Sequence, residues 1–292
     1  MIGASPILWP DGYRSAASFT FDVDAESAVL WRAPQNASRM SIISHQAYGP
    51  LVGVPRLLGM LDQRGIRSTF FVPGYTAMRY PEMVRDIVAA GHEIGHHGYL
   101  HEQPSALSRA DQADALDRGL DAIDRAAGVR PIGYRAPMWD LAWETPELLF
   151  DRGFLYDSSL MDGDHPYELA LASGSDRSIV ELPIEWTLDD WEQYCYLPDI
   201  SGTGLIETPS KARELWASAF RGLHSAGGLW ILTNHPFLSG RPGRALELGA
   251  LMDEVTQTPG VWVAPLQEIA EHVRTLQLPP RSISRPQDLG SD

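Results

Sequence analysis

Two closely spaced aspartates stand at the end of a predicted strand near the start of the chain. The strand covers residues 17–23, and Asp22 and Asp24 are separated by one residue. Alternation along a strand would place both carboxylates on the same side. Two negative charges so close are costly unless a cation or a proton separates their roles. One interpretation is that one carboxylate binds a metal ion and the other takes a proton. The other is a pair of turn or capping aspartates.

A dense group of histidines follows the third predicted strand, where four of the nine histidines lie within ten residues. His97 and His101 are four residues apart and can converge on one ion across a single turn. Imidazole plus carboxylate is a common ligand set for zinc or a neighbouring transition metal, and two histidines with one carboxylate leave positions open for water and substrate. The alternative is a solvated or core-packed cluster. We expect His92 and His96 to be structural.

Two further strand ends carry residues that suit hydrolysis. An arginine at position 135 beside Asp22 would lower the pKa of that carboxyl and hold its orientation. The backbone N–H of Ala136 could face an oxyanion. His235 ends an apolar strand, and an imidazole there could donate a proton to a leaving nitrogen near neutral pH. A surface arginine and a structural histidine are the alternatives for Arg135 and His235.

Short apolar, β-prone runs alternate along the chain with longer helical patterns. This alternation predicts a parallel β/α architecture, in which the polar residues above lie at the rim where active sites are built. Seven or eight such units would close into a barrel more naturally than into an open sheet, although the count allows both. The predicted strands are residues 17–23, 68–72, 93–95, 132–135, 154–156, 179–184, 229–233 and 261–263. The predicted helices are residues 54–64, 81–90, 109–127, 145–151, 209–225, 244–256 and 265–275.

Length and composition predict a single catalytic domain over residues 1–278, since the chain has 292 residues and 44% hydrophobic content. Residues 279–292 are expected to form a loose tail. Two segments, residues 26–50 and 188–208, interrupt the alternation and are predicted to be lid-like insertions. The candidate pocket walls, for which core packing is the alternative, are Trp31, Trp139, Trp186 and Trp191.

The charge of the chain restricts its partners. The formal charge of −15 repels phosphate backbones and anionic lipid headgroups, so we expect a small-molecule substrate and neither nucleic acid nor a membrane. Cys195 is the only cysteine, which excludes an intrachain disulfide and is usual in a reducing cytosol. No signal-peptide pattern or long apolar run is present. A cytoplasmic location is therefore expected.

Taken in order, these segments resemble the five motifs of the polysaccharide deacetylase superfamily, also called the NodB-homology or carbohydrate esterase 4-like superfamily. The resemblance covers about residues 17–240. Its most specific elements are Phe-Asp-Val-Asp at 21–24 and His-Gly-Tyr-Leu-His at 97–101. It implies an α/β fold, a distorted (β/α)7 barrel, with a divalent metal, usually zinc.

The resemblance also implies a role for each matching residue. The metal would be held by Asp24, His97 and His101. Asp22 would be the base, Arg135 its tether and His235 the acid. An aspartate of the fourth motif supports that histidine in the family, and Asp157 is the residue most similar to it, with Asp162 as its rival.

The first motif reads Asp-Val-Asp, whereas polysaccharide-acting members have adjacent aspartates followed by glycine. It is more similar to the branch with cyclic imide hydrolases, allantoinase-like enzymes and peptidoglycan deacetylase-like proteins, whose small-substrate members are often tetramers. The resemblance therefore favours ring-opening hydrolysis of a small cyclic imide or related cyclic amide by metal-activated water, in a homo-oligomer. The main alternative is N-deacetylation of an N-acetyl sugar polymer. A non-haem iron oxygenase and an inactive binding module are remote alternatives.

Overall fold

Nine strands form one sheet in the part of the chain that the computed structural model describes, residues 7–172, 175–201 and 206–286. Each predicted strand is present, within a few residues of its expected ends. The strands are β1 (Ser15–Asp22), β2 (Thr69–Val72), β3 (Glu93–His96), β4 (Gly133–Tyr134), β5 (Tyr156–Asp157), β6 (Tyr167–Ala170), β7 (Ser178–Glu181), β8 (Leu229–Asn234) and β9 (Val261–Val263).

Helices connect these strands, and their ends carry the expected signals. In the longest one, the Ser108 side chain accepts the Asp111 N–H at the start, and Gly128 takes a left-handed conformation at the end. The helices are α1 (Ser27–Arg32), α2 (Met40–Tyr48), α3 (Val54–Asp62), α4 (Gly74–Arg79), α5 (Pro81–Ala89), α6 (Arg109–Ala127), α7 (Thr145–Asp151), α8 (Asp190–Tyr194), α9 (Pro209–Ala226), α10 (Pro236–Ser239), α11 (Pro242–Gln257) and α12 (Leu266–Thr275).

The sheet curls into an incomplete barrel. Seven strands run parallel in the order β8, β1, β2, β3, β4, β5, β7. Off this path, β9 pairs in parallel with the start of β1, and β6 pairs with β7 in the antiparallel direction. No ladder joins β7 to β8 among the described residues. The segment after β7 instead reaches β8 through an isolated parallel bridge between Asp189 and Thr233. This bridge brings the start of the second insertion to the seam of the barrel.

Strand β1 shows how the sheet positions polar groups. Phe19 and Phe21 pack in the cluster that includes residues of α3, α5, α9 and α11. Since side chains alternate along a strand, Thr20 and Asp22 lie on the opposite face, inside the curl. All eight residues of β1 are buried, as expected for a parallel strand covered on both faces. Asp22 is therefore held in the barrel interior.

Two expectations about irregular segments need correction. Residues 26–50 are largely helical, because α1, a 3-10 helix (Pro34–Ser38) and α2 occupy most of this segment. The predicted loose tail is bound at its start, where the Arg281 N–H donates to Glu168 and its carbonyl accepts from Ala170. Strand β6, which the sequence analysis missed, provides this edge. Residues 287–292 of the tail and 202–205 of the second insertion lie outside the described residues.

None of the helices that the structure describes combines the length and apolar character needed to cross a bilayer.

Candidate active site

Asp24, His97 and His101 form a buried cluster at the carboxyl ends of β1 and β3. His97 Nε2 lies 3.5 Å from Asp24 Oδ1, and His101 Nε2 lies 3.4 Å from Asp24 Oδ2. One ligand atom from each residue falls within 4.8 Å of the others. Asp24 Oδ1 has no hydrogen-bond partner within the described part of the chain. A buried carboxylate oxygen in that state is costly unless a cation completes it, so this donor set fits a divalent metal.

The second nitrogen of His97 fixes which nitrogen points at the cluster. His97 Nδ1 lies 2.7 Å from the Arg135 carbonyl oxygen. Because a carbonyl only accepts hydrogen bonds, Nδ1 carries the proton and Nε2 presents its lone pair toward Asp24. Burial is the main cause that lowers the pKa of His97 to about 4. The imidazole is therefore neutral, as a metal ligand must be.

Unusual backbone conformations concentrate around this cluster. Four of the six non-glycine residues with positive φ in the described ranges are Ala25, His101, Met138 and Trp139. Such conformations cost about 1–3 kcal/mol each and persist only where the surrounding structure enforces them. Next to Ala25, the Asp24 carbonyl accepts hydroxyl hydrogen bonds of 2.7 Å from Ser27 and Thr76. These contacts hold the backbone that carries the ligand.

Asp22 is paired with Arg135 rather than with the histidines. Arg135 Nη1 lies 2.9 Å from Asp22 Oδ1, and both side chains are buried. Burial alone would raise the pKa of Asp22, but the Arg135 guanidinium, with the charged His235 imidazole nearby, holds it below its ordinary value. Asp22 is therefore an ionised carboxylate in the barrel interior. His97 Nε2 lies 3.9 Å from its other oxygen.

Arg135 is itself fixed on several sides. Its Nη1 also donates to the hydroxyls of Thr20 at 2.9 Å and Thr233 at 3.1 Å. Its Nε donates to the Ser158 carbonyl, and its Nη2 donates to the Ser158 hydroxyl. The guanidinium carbon lies 4.3 Å from the Phe71 ring centroid. These contacts keep the Arg135 side chain beside Asp22.

The partner of His235 is Asp190. His235 Nδ1 and its backbone N–H lie 2.8 and 2.9 Å from Asp190 Oδ1, and Ser239 donates its N–H and hydroxyl to Oδ2. Asp189 Oδ1 lies 3.4 Å from the same Nδ1. Burial opposes a charge on His235, but the two carboxylates outweigh it and raise the pKa well above 6.5. His235 Nε2 lies 3.7 Å from Asp24 Oδ2, so a protonated imidazole faces the cluster.

The assignment of Asp157 as the support of His235 is wrong. Asp157 lies on β5, which four strands separate from β8 in the sheet, and its carboxylate accepts from the Ser159 hydroxyl. Its rival Asp162 binds Tyr167 and Arg281. One feature of the sequence could have indicated the true partner of His235, namely the adjacent acidic residues Asp189 and Asp190 in an aromatic segment. Sequence spacing alone did not show that this segment closes the barrel seam.

The predicted oxyanion donor is also misplaced. The Ala136 N–H donates to the Ser159 hydroxyl at 2.8 Å, and Ala136 is buried. Pro137 has no N–H, so the next backbone donor along the chain is that of Met138. Met138 lines the cleft described below.

A cleft of about 130 Å³ contains Asp22, Asp24, His97, His101 and His235. Trp139 and Trp186 form one wall, with ring centroids 4.6 Å apart and an interplanar angle of 23°. Trp191 forms another and meets His235 edge-on at 5.1 Å.

Trp31 is absent from the described lining of this cleft. It lies on α1, the helix that occupies part of the segment predicted to be irregular. The prediction that Trp31 is a pocket wall is therefore wrong. Glu192 and Asp189 add acidic character to the lining.

A larger cavity of about 490 Å³ lies elsewhere, beside the start of the tail. Its described lining is apolar apart from backbone, serines and Arg285. The residues described in this lining offer neither a general base nor a metal-ligand set. The smaller cleft is therefore the candidate active site.

Comparisons with known proteins agree with this geometry. The family model described as polysaccharide deacetylase matches residues 47–149. A peptidoglycan deacetylase of Helicobacter pylori is 30% identical over 78% of this chain and 86% of its own length. The chain belongs to the polysaccharide deacetylase family. As a member, it is a hydrolase acting on carbon–nitrogen bonds other than peptide bonds, and the metal dependence of the family matches the donor set of Asp24, His97 and His101.

Solved structures confirm the fold class. A Mycobacterium smegmatis protein assigned provisionally to the polysaccharide deacetylases is 58% identical, with a TM-score of 0.95 over 97% of this chain and 98% of that one. An allantoinase is 23% identical, with a TM-score of 0.81 over 94% of this chain and 95% of its own, and shows the same fold. The α/β architecture is thus the distorted (β/α)7 barrel of the polysaccharide deacetylase family.

Proposed function

We propose that this polysaccharide deacetylase family member hydrolyses a small cyclic imide or a related cyclic amide, with water as the nucleophile. The observation that carries the proposal is the small size of the cleft in which base, metal-ligand set and acid converge, about 130 Å³. Pockets for drug-sized ligands are typically about 300–1,000 Å³. The aromatic walls suit a compact, flat, weakly polar ring.

Asp24, His97 and His101 are the residues that would hold the metal, and zinc is the ion that this ligand set favours. A divalent ion bound there would lower the pKa of water and polarise the scissile carbonyl. The neutral state of His97 and the unpartnered oxygen of Asp24 support this assignment.

Asp22 is the proposed general base. Its carboxylate faces the cleft, and the Arg135 ion pair keeps it ionised and oriented toward the reacting water. The proton taken from that water goes to the Asp22 oxygen that is not bound to Arg135. The backbone N–H of Met138, rather than that of Ala136, is the proposed donor to the developing oxyanion.

His235 is the proposed general acid for the departing nitrogen. The Asp190 carboxylate fixes Nδ1 as a donor, so Nε2 is the nitrogen that gives its proton to the leaving group. Since the charged imidazole is stabilised by two carboxylates, this proton is present at neutral pH.

N-deacetylation of an N-acetyl sugar is the second candidate. The peptidoglycan deacetylase relative and the family description favour it. An acetamido group alone would fit the cleft with its sugar outside, against the exposed rim of Met138 and Trp186.

The experiment that tests the proposal uses protein purified without added metal. Bound zinc, iron, manganese and nickel are measured by mass spectrometry. Ring opening of succinimide and phthalimide and acetate release from chitooligosaccharides are then followed before and after chelation. The Asp22→Asn variant serves as the matched control, because it keeps the three proposed metal ligands.

Imide opening that chelation abolishes, with about one metal per chain, is the expected result. Acetate release without imide opening would replace the proposal with the second candidate. Imide opening that survives complete metal removal would contradict the assigned role of Asp24, His97 and His101.

The proposal also includes a cytoplasmic, homo-oligomeric enzyme, with a tetramer expected. The single cysteine supports the first point. The resemblance to small-substrate members supports the second. Sedimentation velocity of the purified chain measures the assembly directly.

A further inference from the structure

Asp157 and Glu181 form a second buried acidic pair, outside the cleft. They are directly opposite each other in the parallel register of β5 and β7. Both side chains have no solvent exposure. Since partners in register point to the same face of a sheet, the two carboxyl groups meet.

Each carboxyl has one satisfied oxygen and one unpartnered oxygen. Asp157 Oδ1 accepts the Ser159 hydroxyl at 2.7 Å, and Glu181 Oε1 accepts the N–H groups of Ser159 and Leu160 at 3.2 and 2.9 Å. Asp157 Oδ2 and Glu181 Oε2 have no donor among the described residues. Two ionised carboxylates cannot remain in contact without water, but one proton between these oxygens satisfies both.

We propose that Asp157 and Glu181 share one proton and act as positioning residues for Arg135, through the turn at residues 158–160. The inference rests on the proposed function, in which Arg135 orients the base Asp22. Glu181 carries the proton and donates it to Asp157 in a carboxyl–carboxylate hydrogen bond.

The contacts from this pair to the base are continuous. Glu181 holds the backbone of the turn, and Asp157 orients the Ser159 hydroxyl, which accepts the Ala136 N–H at 2.8 Å. Ser158 then accepts from Arg135 Nε and Nη2, both at 3.2 Å. The pair therefore holds Arg135 in two places, through the backbone of the next residue, Ala136, and through the guanidinium group.

Burial raises the pKa of both carboxyls. The negative charge of Asp157 raises the pKa of Glu181 further, whereas the hydrogen bond from Glu181 lowers the pKa of Asp157. The charged or titratable groups facing the pair are Arg135, which favours the ionised form of Asp157, and the buried hydroxyls of Tyr134 and Tyr167. The positive charge of Arg135 supports one negative charge on the pair. Loss of the shared proton at alkaline pH would put a second negative charge on the pair. The repulsion between the two carboxylates would then displace the turn.

Three variants test the inference. Glu181→Gln keeps an N–H donor to Asp157 and an oxygen for the turn, but it has no ionisable proton. Glu181→Met has a similar length and removes both functions. Ser159→Ala keeps both carboxyls, removes the hydroxyl donor to Asp157 and cuts the connection to Ala136. Circular dichroism and thermal unfolding identify any variant that fails to fold.

Two readouts need no substrate. The infrared difference spectrum between wild type and Glu181→Gln is expected to show a protonated carboxyl band that the variant lacks. The NMR signal of the Arg135 Nε–H is expected at its wild-type position in Glu181→Gln and shifted in Glu181→Met and Ser159→Ala. An absent band overturns the shared proton, and an unshifted signal in both disruptive variants overturns the positioning role.

Kinetics then separate positioning from a purely structural role. With the substrate that the enzyme hydrolyses, we expect kcat of Glu181→Gln within about twofold of wild type at neutral pH and better retained at alkaline pH. Glu181→Met and Ser159→Ala are expected to lose about tenfold or more in kcat, with KM changed far less. Wild-type kcat in folded Glu181→Met would contradict the inference. If neither substrate is hydrolysed, the proposed function fails, while the infrared and NMR readouts still test the pair.

Discussion

Two of the acidic pairs buried in this barrel solve the same electrostatic problem in opposite ways. Asp22 and Asp24 stand on one strand end and face cationic or metal-binding groups: Arg135 at 2.9 Å from Asp22, and the imidazoles of His97 and His101 within 3.5 Å of Asp24. Asp157 and Glu181 face each other across β5 and β7, with hydroxyl and N–H donors around them.

The consequence is an opposite shift of the pKa in the two pairs. Arg135 and its neighbours overcome the effect of burial and lower the pKa of Asp22, whereas burial raises the pKa of both Asp157 and Glu181. A buried carboxyl is thus made reactive or structural by its partner, not by its depth. An Asp at a strand end is therefore insufficient evidence for catalysis.

The largest effect is expected from Asp24→Asn. The amide is a weaker ligand than the carboxylate, and it cannot balance the metal charge between His97 and His101. We expect bound metal to fall from about one per chain to near zero and activity to fall to the background of the assay. Mass spectrometry of the purified variant measures the first. A variant that retains metal and activity would refute the ligand assignment.

Asp22→Asn is expected to keep the metal and lose the chemistry. The amide remains beside Arg135 but cannot take a proton, and positioned general bases contribute about 10²–10⁴-fold. We expect kcat to fall within that range with metal content unchanged. Loss of metal together with activity would show that Asp22 is also a metal ligand. The two aspartates would then not have separate roles.

Asp190→Asn should have a smaller effect, because it acts through His235. Removing the carboxylate weakens the orientation of Nδ1 and withdraws charge that raises the pKa of the imidazole. We expect kcat to fall by about tenfold to a hundredfold and the alkaline limb of the pH–rate profile to move to lower pH. Asp162→Asn is the matched control, since Asp162 contacts Tyr167 and Arg281 outside the cleft, and it should leave that limb in place. A shift in the control instead would restore the rival sequence-based assignment.

Short-range patterns in the sequence predicted the parallel β/α architecture and the grouping of Asp24, His97 and His101, and the family resemblance added the barrel. Strand ends carry Asp22, Asp24 and His235, and the four-residue spacing of His97 and His101 survives as a shared cluster. The parallel β/α alternation places all of these at one rim. The positions of the strand ends can be predicted from local periodicity, without knowledge of long-range contacts.

The errors concern residues whose roles depend on contacts across the barrel. Asp190 reaches His235 only because the segment after β7 closes the seam at Thr233. Ala136 lost its predicted role because Ser159, 23 residues away, occupies its N–H. Trp31 was assigned to the pocket because its segment lacked an obvious period, yet it lies on α1 outside the cleft lining. In each case the role of the residue depends on its contacts in the folded barrel. The spacing of residues along the sequence does not show those contacts.

The smallest effect, and the sharpest test of the contrast between the pairs, is the pH dependence of stability. At neutral pH the folded Asp157–Glu181 pair holds one proton that the unfolded chain releases, because burial raises its pKa above the ordinary values of 3.8 and 4.5. The stability contributed by this proton is complete below those values and is lost as pH rises toward the folded pKa of the pair.

Urea unfolding at a series of pH values measures this loss. The free energy of unfolding of wild type minus that of Glu181→Gln should fall by about 1.4 kcal/mol for each pH unit between the ordinary carboxyl range and the folded pKa of the pair. Asp22 has the opposite sign, since its lowered pKa adds stability above the ordinary value and loses it in acid. A wild-type-minus-variant difference that stays flat across neutral pH would mean that the pair carries no proton, and the two acidic pairs would then differ in position but not in chemistry.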